Sequence, residues 1–367
     1  IALVGGATGF IGDPTGKAAE RSLLDEETLN KYVAGIKAQL SRFLDFDTNN
    51  GNSALLVNNY DWMKNFSFID FARNVGKHIT VNYMMAKDSV KSRLSSESNV
   101  GMSFTEFTYQ LIQGYDYLHL YKELGAKLQM GGSDQWGNIT TGTELIRRTV
   151  QGEAFAFTCP LTTKADGTKF GKSEGGENIW LDKNRTSPYK FYQFWLNQAD
   201  ADAERYIKIY TFLEKEAIDD LIERHRQEPH LRELQRKLAT EITILVHGVE
   251  ELRKAEKASQ VLFGKSTSED LKELDGDTFL SVFEGVPQAT IAKIDIEAGL
   301  DIVTALAEKS GFLKSNSEAR RELKANAISV NKEKVAEEFV LTTENLIADK
   351  YILLQKGKKN YFILIVE

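Results

Sequence analysis

Short apolar runs alternate with amphipathic helical patterns over about the first 180 residues of the chain. The apolar runs are IALVGG, ALLVNNYDW, AKLQMGG and IWL, and the segments between them are rich in charge. This alternation is typical of a layered α/β domain, in which helices cover a parallel sheet. We therefore predict an α/β fold class for this part of the chain.

The pattern becomes helical throughout after about residue 187. AIDDLIERHRQ and LRELQRKLATEITILVHG carry apolar residues at spacings of three and four, and Gly248 predicts a helix end. Nearer the C-terminus, two short helices precede two apolar strands around a GKKN turn, which indicates a hairpin. The predicted division is an α/β domain at 1–186, a helical domain at 187–265, a linker at 266–299 and a small α+β domain at 300–367.

Composition narrows the classes of protein to consider. The chain has 367 residues, of which 42% are hydrophobic and 27% charged, and its net charge is −7. A single cysteine, Cys159, excludes an internal disulfide framework, and the five histidines lack the spacing of metal ligands. No run of about 18 or more apolar residues is present. We expect a cytoplasmic protein with no membrane partner and no bound metal.

The opening stretch IALVGGATGFIGDPTGK raises the possibility of a nicotinamide-dependent reductase. GATGFIG has the glycine spacing of a dinucleotide loop, and Tyr83 and Lys87 stand four apart as in short-chain reductases. However, the turn cluster that begins at Asp13 is expected to postpone the helix that such a loop requires. A phosphate-binding loop of NTPases fits no better, because Ala18 follows Lys17 where Ser or Thr should hold magnesium.

Polar residues share one face of a predicted helix in TYQLIQGYDYL. Tyr109, Gln113 and Asp116 fall at positions 0, 4 and 7 of that helix. Because they stand among apolar and aromatic residues, we favour a wet pocket over a merely solvated helix face. A ligand that carries an ammonium group and a hydroxyl group suits this trio.

A second polar cluster follows the predicted strand in LQMGGSDQWGNIT. The strand ends at Gly131 and Gly132, and hydrogen-bonding side chains come directly after it. Since ligands of α/β proteins bind at the carboxyl edge of the sheet, we favour a binding site over an ordinary turn. The polar residues are Ser133, Asp134, Gln135 and Asn138.

A third segment, TKADGTKFGKSEGG, carries lysines on a glycine-rich loop. Lys169 and Lys172 are three residues apart, and Ser173 follows them. Such a loop suits a mobile clamp on phosphate charge, although a solvated loop has the same composition.

Together these segments resemble the bacterial tyrosyl-tRNA synthetases, which are class I aminoacyl-tRNA ligases. The resemblance covers essentially the whole chain and is carried by GGATGFIGDPTGK, VNYMMAKDSVKSR, FTEFTYQLIQGYD, GGSDQWGNI and KFGKS. It implies a Rossmann-like catalytic domain, an anticodon-side helical domain and a C-terminal RNA-binding domain. It also implies activation of L-tyrosine with ATP, followed by transfer of the tyrosyl group to tRNA(Tyr).

The resemblance assigns roles to matching positions. For tyrosine, it implies that Asp116 holds the phenol hydroxyl and that Gln135 lies near the carboxylate. The residues that it places around the α-ammonium are Asp13, Tyr109 and Gln113. Those that it gives to ATP are Gly132, Asp134 and Lys172. Those that it implies in catalysis, at the departing pyrophosphate, are Lys17, Arg21, Lys169, Lys172 and Ser173.

The family also implies partners. ATP is expected to arrive with Mg²⁺ as a substrate, with no tightly bound cofactor. A homodimer is expected, paired through an insertion at about 61–108 that is rich in apolar residues. Contacts to tRNA phosphates are expected from the C-terminal domain, although residues 301–367 hold 11 basic and 10 acidic side chains. The candidate contacts are Arg320, Arg321, Lys324, Lys356, Lys358 and Lys359.

Ile1 begins in what reads as a buried strand, without an initiator Met. We therefore expect that an N-terminal segment of the family, with its His-Ile-Gly-His-like motif, is absent from this sequence. A non-catalytic RNA-binding protein on a synthetase scaffold remains an alternative to the ligase.

Overall fold

The structure is a computed structural model in which the described residues form two compact units, Ile1–Phe170 and Gly171–Glu367. For residues 92–94, 261–263 and 268, only the backbone is described. The described ranges are 1–13, 25–47, 49–94, 102–168, 170–171, 178–263, 268–284, 286–357 and 360–367.

The first unit alternates helices and strands, as predicted. In chain order they are β1 (Ala2–Val4), α1 (Gly6–Ile11), α2 (Glu26–Leu40), β2 (Leu56–Asn58), α3 (Tyr60–Met63), α4 (Phe68–Asn74), α5 (Val81–Met85), α6 (Asp88–Leu94), α7 (Phe104–Leu124), β3 (Leu128–Gly132), α8 (Trp136–Val150) and β4 (Phe155–Cys159).

The strands of this unit pair in parallel. β1 pairs with β2, with Val4 opposite Asn58 at the carboxyl end. β3 pairs with β4, with Gly132 opposite Cys159 at the corresponding end. The predicted α/β class with parallel strands is therefore confirmed, and the polar segment that begins at Ser133 follows directly after the end of β3.

Helix α7 is defined at both ends by its sequence. The Ser103 hydroxyl accepts a hydrogen bond from the Glu106 N–H, and the Glu106 carboxylate accepts one from the Ser103 N–H, which forms a capping box. The helix ends at Gly125, whose φ of 67° is left-handed. It packs on α8, where a Cβ at Gly142 would lie 2.7 Å from the Cβ of Tyr117. Only glycine permits so close an approach.

Helix α1 corrects one expectation from the sequence. The turn cluster that begins at Asp13 predicts a postponed helix, but the chain turns directly into a helix at Gly6. The N–H of Gly6 donates to Oδ1 of Asn58 over 3.0 Å, and the N–H of Ala7 donates to Oδ1 of Asn59 over 2.7 Å. These two side chains satisfy N–H groups that the first turn of a helix leaves unpaired, so the helix forms in a glycine-rich sequence.

The second unit begins with helices and ends with a sheet. In chain order its elements are α9 (Pro188–Leu196), α10 (Asp200–Tyr210), α11 (Lys215–Gln227), α12 (Glu233–His247), α13 (Val249–Phe263), α14 (Ser268–Lys272), α15 (Gly276–Val282), β5 (Gln288–Ile291), α16 (Lys293–Glu297), β6 (Leu300–Asp301), α17 (Ile302–Thr304), α18 (Asn316–Lys324), β7 (Ile328–Val330), β8 (Glu333–Lys334), β9 (Val340–Leu341), β10 (Tyr351–Lys356) and β11 (Asn360–Val366).

The C-terminal sheet has the strand order β5-β11-β10-β7-β8. β10 and β11 pair antiparallel from Tyr351 opposite Ile365 to Lys356 opposite Asn360, which confirms the predicted hairpin. β5, which comes from the segment interpreted as a linker, lies parallel to β11. Ile302, Leu306 and Leu364 belong to the apolar cluster of this sheet.

Within the described ranges, none of the helices is long and apolar enough to cross a membrane.

Candidate active site

The carboxylate of Asp116 is buried on α7, with a side chain and backbone that are only 1% exposed. Asn59 donates from Nδ2 to Oδ2 of Asp116 over 2.9 Å, and Trp62 donates from Nε1 to Oδ1 over 2.8 Å. Each carboxylate oxygen therefore receives one protein hydrogen bond and keeps acceptor capacity for a ligand. This arrangement can recognise an otherwise apolar ring by accepting a hydrogen bond from its hydroxyl group.

Burial governs the ionisation of this carboxyl group. Loss of solvation raises the pKa of Asp116 to about 6, while the hydrogen bonds from Asn59 and Trp62 act in the opposite direction. At neutral pH the group is therefore ionised, and it accepts hydrogen bonds. A raised pKa in a buried polar site is a feature of functional sites.

Asn59 connects this carboxylate to the glycine-rich opening of the chain. Its Nδ2 also donates to Oγ1 of Thr8 over 3.1 Å, and its Oδ1 accepts the N–H of Ala7. Neither Asn59 nor Trp62 was predicted from the sequence, although the residues directly after β2, NYDW, are polar and aromatic. That position at a strand end is the signal that could have indicated them.

Gln135 joins several of the predicted site residues. Its Nε2 donates to Oδ2 of Asp13 over 2.9 Å and to Oδ2 of Asp134 over 3.1 Å. Its Oε1 accepts from Nε2 of Gln113 and from Nδ2 of Asn138, each over 3.2 Å. The structure thus brings together Asp13, Gln113, Asp134 and Gln135, which the sequence places up to 122 residues apart.

The remaining described candidates lie beside this network. Tyr109 is buried on α7, one helical turn before Gln113. Gly132 ends β3, and a Cβ there would lie 2.6 Å from Oδ1 of Asp134. A side chain at this position would collide with the Asp134 carboxylate, which favours glycine there.

The predicted phosphate-binding residues lie outside the described residues. The described part of the loop that carries the last three of them is a turn, in which the N–H of Lys164 donates to the carbonyl of Thr168 over 2.9 Å. Oδ1 of Asp166 accepts from the N–H and the hydroxyl of Thr168. The residues outside the described ranges are Lys17, Arg21, Lys169, Lys172 and Ser173.

Tyr83 and Lys87, the pair reminiscent of reductases, both bind α8. The Lys87 ammonium donates to the Tyr83 hydroxyl and to Oγ1 of Thr140, each over 2.9 Å. The Tyr83 hydroxyl donates to the Thr140 carbonyl over 3.2 Å. Their spacing of four therefore lets both side chains bond to Thr140 and holds the segment around α5 against α8.

Acidic neighbours accompany the basic residues of the C-terminal sheet. Arg320 pairs with Glu337 over 3.0 Å, and Arg321 pairs with Glu322 over 3.2 Å. Lys356 lies 3.3 Å from Glu318. Lys358 and Lys359 lie outside the described residues. Any phosphate contact by the first three basic residues must therefore compete with a carboxylate.

In the portion of the chain that the structure describes, no group of three or more His, Cys, Asp or Glu residues is arranged to hold a metal ion.

Parallel strand pairs with polar side chains gathered at their carboxyl ends define an α/β protein of the nucleotide-binding class. Residues 1–264 match the family described as tRNA synthetases class I (W and Y), and residues 278–364 match the Tyrosine--tRNA ligase SYY-like C-terminal domain. The chain belongs to the class I tRNA synthetases and, within them, to the tyrosine--tRNA ligases. This membership contradicts the reductase interpretation of the opening stretch.

Relatives match over the whole chain. A tyrosine--tRNA ligase of Flavobacterium psychrophilum is 70% identical over 100% of this chain and 85% of its own length. One of Bacteroides fragilis is 61% identical with the same coverage. Among solved structures, a C-terminally truncated mitochondrial tyrosyl-tRNA synthetase of Aspergillus nidulans has a TM-score of 0.60 at 30% identity. It covers 71% of this chain, and 76% of that structure is matched.

Proposed function

We propose that this chain is a tyrosine--tRNA ligase whose amino-acid site is built around Asp116 and Gln135. The observation that carries the site assignment is the buried Asp116 carboxylate, ionised at neutral pH and held by two donors. On the same helix, Gln113 reaches Gln135 at the end of β3. A buried acceptor and a polar network one helical turn away match the two ends of a tyrosine molecule.

The reaction has two steps. The carboxylate oxygen of tyrosine attacks the α-phosphorus of ATP, the bond to the bridging oxygen breaks, and pyrophosphate leaves with its electron pair. A ribose hydroxyl at the 3′ end of tRNA then attacks the tyrosyl carbonyl, and AMP leaves. Neither step requires a covalent enzyme intermediate, so catalysis rests on positioning and on stabilisation of phosphoryl charge.

In this proposal each polar group around tyrosine has a separate task. The phenol hydroxyl of tyrosine donates a hydrogen bond to Asp116. Because the carboxylate is buried, a ring without a hydroxyl leaves part of its acceptor capacity unused, which costs binding free energy. Asp13 supplies negative charge for the α-ammonium, with Tyr109 and Gln113 beside it. Gln135 holds Asp13 in place and presents an amide near the reacting carboxylate.

ATP is placed by the strand end and by the lysine loop. Gly132 and Asp134 hold the ribose, since a carboxylate directly after a glycine strand end is suited to ribose hydroxyls. Lys17, Arg21, Lys169, Lys172 and Ser173 neutralise the departing pyrophosphate. Mg²⁺ arrives with ATP as part of the substrate, and no further cofactor is required.

The proposed assembly is a cytoplasmic homodimer that binds tRNA(Tyr). Phe68 is 70% exposed and Ile69 is 76% exposed on α4, and Val81 on α5 and Phe104 on α7 are exposed as well. Apolar side chains of this size, concentrated in one segment, favour an interface with a second copy of the chain. The C-terminal sheet is proposed to contact tRNA.

Tyrosine-dependent exchange between ATP and pyrophosphate tests the function. We expect exchange with L-tyrosine and very little with L-phenylalanine. Absent exchange together with retained binding of tRNA would favour the alternative of a non-catalytic RNA-binding protein on a synthetase scaffold.

A further inference from the structure

We propose that His119 is a positioning residue for tyrosine selection, because its ring holds Trp62 in the orientation that lets the indole donate to Asp116. The inference rests on the proposed function, in which Asp116 reads the phenol hydroxyl. His119 itself does not touch the substrate in this proposal.

Trp62 has one polar atom with which to fix its orientation. The indole N–H is a donor, and it is directed to Oδ1 of Asp116 over 2.8 Å. Trp62 lies on α3, a helix of four residues without a side-chain cap. So short a helix offers little rigidity of its own. The plane of the indole must therefore be held by whatever packs on its face.

The ring that stacks on this indole is the imidazole of His119. The two ring centroids are 4.3 Å apart, and the planes are inclined by 23°. Stacked rings at this separation attract each other beyond the area that they bury. Tyr115 lies farther from His119, with centroids 6.2 Å apart and tilted planes.

His119 and Asp116 are carried by the same rigid element. They stand three residues apart on α7, so both side chains lie on one face of a 21-residue helix. Trp62 is thus held between an acceptor and a stacking partner that cannot move relative to each other without bending α7.

The charge state of His119 suits this task. Burial lowers the pKa of the imidazole, Glu123 raises it and Lys122 lowers it. At neutral pH the ring is therefore neutral, and it stacks without placing a cation beside Asp116. Asn59 and Trp62 donate hydrogen bonds to the Asp116 carboxylate, and both act to lower its pKa.

Loss of the ring stacking between His119 and Trp62 should raise KM for tyrosine and leave KM for ATP unchanged. Without His119 the indole can rotate, and Asp116 then lacks one of the two donors that orient its carboxylate. The proposed ATP site uses Gly132 and Asp134, which lie at and directly after the end of β3 and not on the helix that carries His119.

The test measures pyrophosphate exchange with tyrosine and with phenylalanine for His119→Ala, His119→Leu and His119→Phe in the full chain. For the Ala and Leu variants we expect KM for tyrosine to rise roughly three- to tenfold, with an unchanged KM for ATP. The flat ring of the Phe variant should restore KM to within about twofold. Leu124→Ala, at the exposed last residue of the same helix, is the matched control.

A double-mutant cycle with Trp62→Phe, which removes the indole donor, asks whether His119 acts through Trp62. We expect His119→Leu to have no further effect on KM for tyrosine in that background. Equal effects of His119→Leu in both backgrounds, or no rescue by His119→Phe, would overturn the inference while leaving the ligase function intact. Wild-type protein without any tyrosine-dependent exchange would overturn the proposed function itself, and the inference with it.

Discussion

Nε2 of Gln135 lies 2.9 Å from Oδ2 of Asp13, although 122 residues separate the two in the chain. This hydrogen bond joins the segment after α1 to the segment after β3, so the two pairs of parallel strands contribute to one polar site. Oε1 of Gln135 also accepts a hydrogen bond from Nε2 of Gln113 on α7. One side chain therefore fixes the relative placement of three segments.

Replacement of Gln135 with Ala should impair the reaction with both tyrosine and ATP. Because the amide orients Asp13 and accepts from Gln113, we expect kcat/KM for tyrosine and for ATP to fall by roughly ten- to a hundredfold. Gln110→Ala is the control, since Gln110 is also buried on α7 but donates to the carbonyl of Phe107 and not to a residue of the proposed site. Steady-state exchange kinetics on the two variants check this, and similar losses in both would contradict it.

The raised pKa of Asp116 predicts how tyrosine activation depends on pH. The carboxyl takes up a proton as the pH falls through about 6, and it then loses acceptor capacity for the phenol. We expect kcat/KM for tyrosine to fall by about tenfold per pH unit below that value. The residual reaction with phenylalanine, which has no hydroxyl to be read, should lack this step. Identical pH profiles for the two amino acids would argue against the assignment.

The pKa of Glu144 is shifted in the opposite direction from that of Asp116, and this shift predicts how the stability of the fold depends on pH. Its hydrogen bond with Arg147, and further contacts with Arg148, lower its pKa from 4.5 to about 2. A lowered pKa stabilises the folded state above the ordinary pKa, and this contribution is lost as the pH falls towards the folded value. Glu144→Gln should therefore lower the free energy of unfolding by on the order of 1 kcal/mol at neutral pH.

Urea denaturation of wild type and Glu144→Gln, at neutral pH and at about pH 3, measures this difference, which should shrink in acid. Glu241→Gln is the control, because Glu241 pairs with Lys237 at a partly exposed position on α12. We expect a cost of only a few tenths of a kcal/mol there. A Glu144 effect that does not depend on pH would contradict the assigned cause.

The proposed dimer interface can be tested by introducing a charged side chain into its apolar surface. Phe68→Asp places a carboxylate on the exposed apolar surface of α4 and should raise the dimer dissociation constant by at least about tenfold. Phe212→Asp is a strict control, because Phe212 is 91% exposed but lies between α10 and α11 in the second unit. Analytical ultracentrifugation checks both, and a wild-type chain that is monomeric at micromolar concentration would remove the dimer from the proposal.

The lysine loop should act mainly in the transition state. We expect Lys169→Ala and Lys172→Ala to lower kcat for adenylate formation far more than they weaken tyrosine binding, because these lysines meet charge that develops as pyrophosphate departs. Lys164→Ala, in the described turn of the same segment, is the control. Equal losses in kcat and in tyrosine affinity would show a binding surface instead.

Helices and strands that depend on residues close in sequence could be predicted, whereas those that depend on contacts with distant residues could not. Helix α7 and the C-terminal hairpin follow from periodicity, from a capping box and from turn residues that lie within the elements themselves. The start of α1 at Gly6 could not be predicted in this way, because its first N–H groups are satisfied by Asn58 and Asn59, which are 52 residues away. β5 depends in the same way on β11.

The candidate site shows the same division. Gln113 and Asp116 were indicated by their shared helix face, and Gln135 by its place after a strand. Asn59 and Trp62 were missed because their roles depend on hydrogen bonds to Asp116 that span 57 and 54 residues. No local spacing encodes such a contact.

The measurement that tests the central claim most directly is the tyrosine-to-phenylalanine ratio of kcat/KM for Asp116→Ala. Asp116 is proposed to read the phenol hydroxyl, so its removal should slow tyrosine activation severely and slow the already poor phenylalanine reaction much less. Loss of a buried, charged hydrogen-bond acceptor predicts that the ratio falls by roughly a hundredfold. A ratio equal to that of the wild type, with both amino acids slowed alike, would contradict the account and leave Asp116 with a structural role in α7.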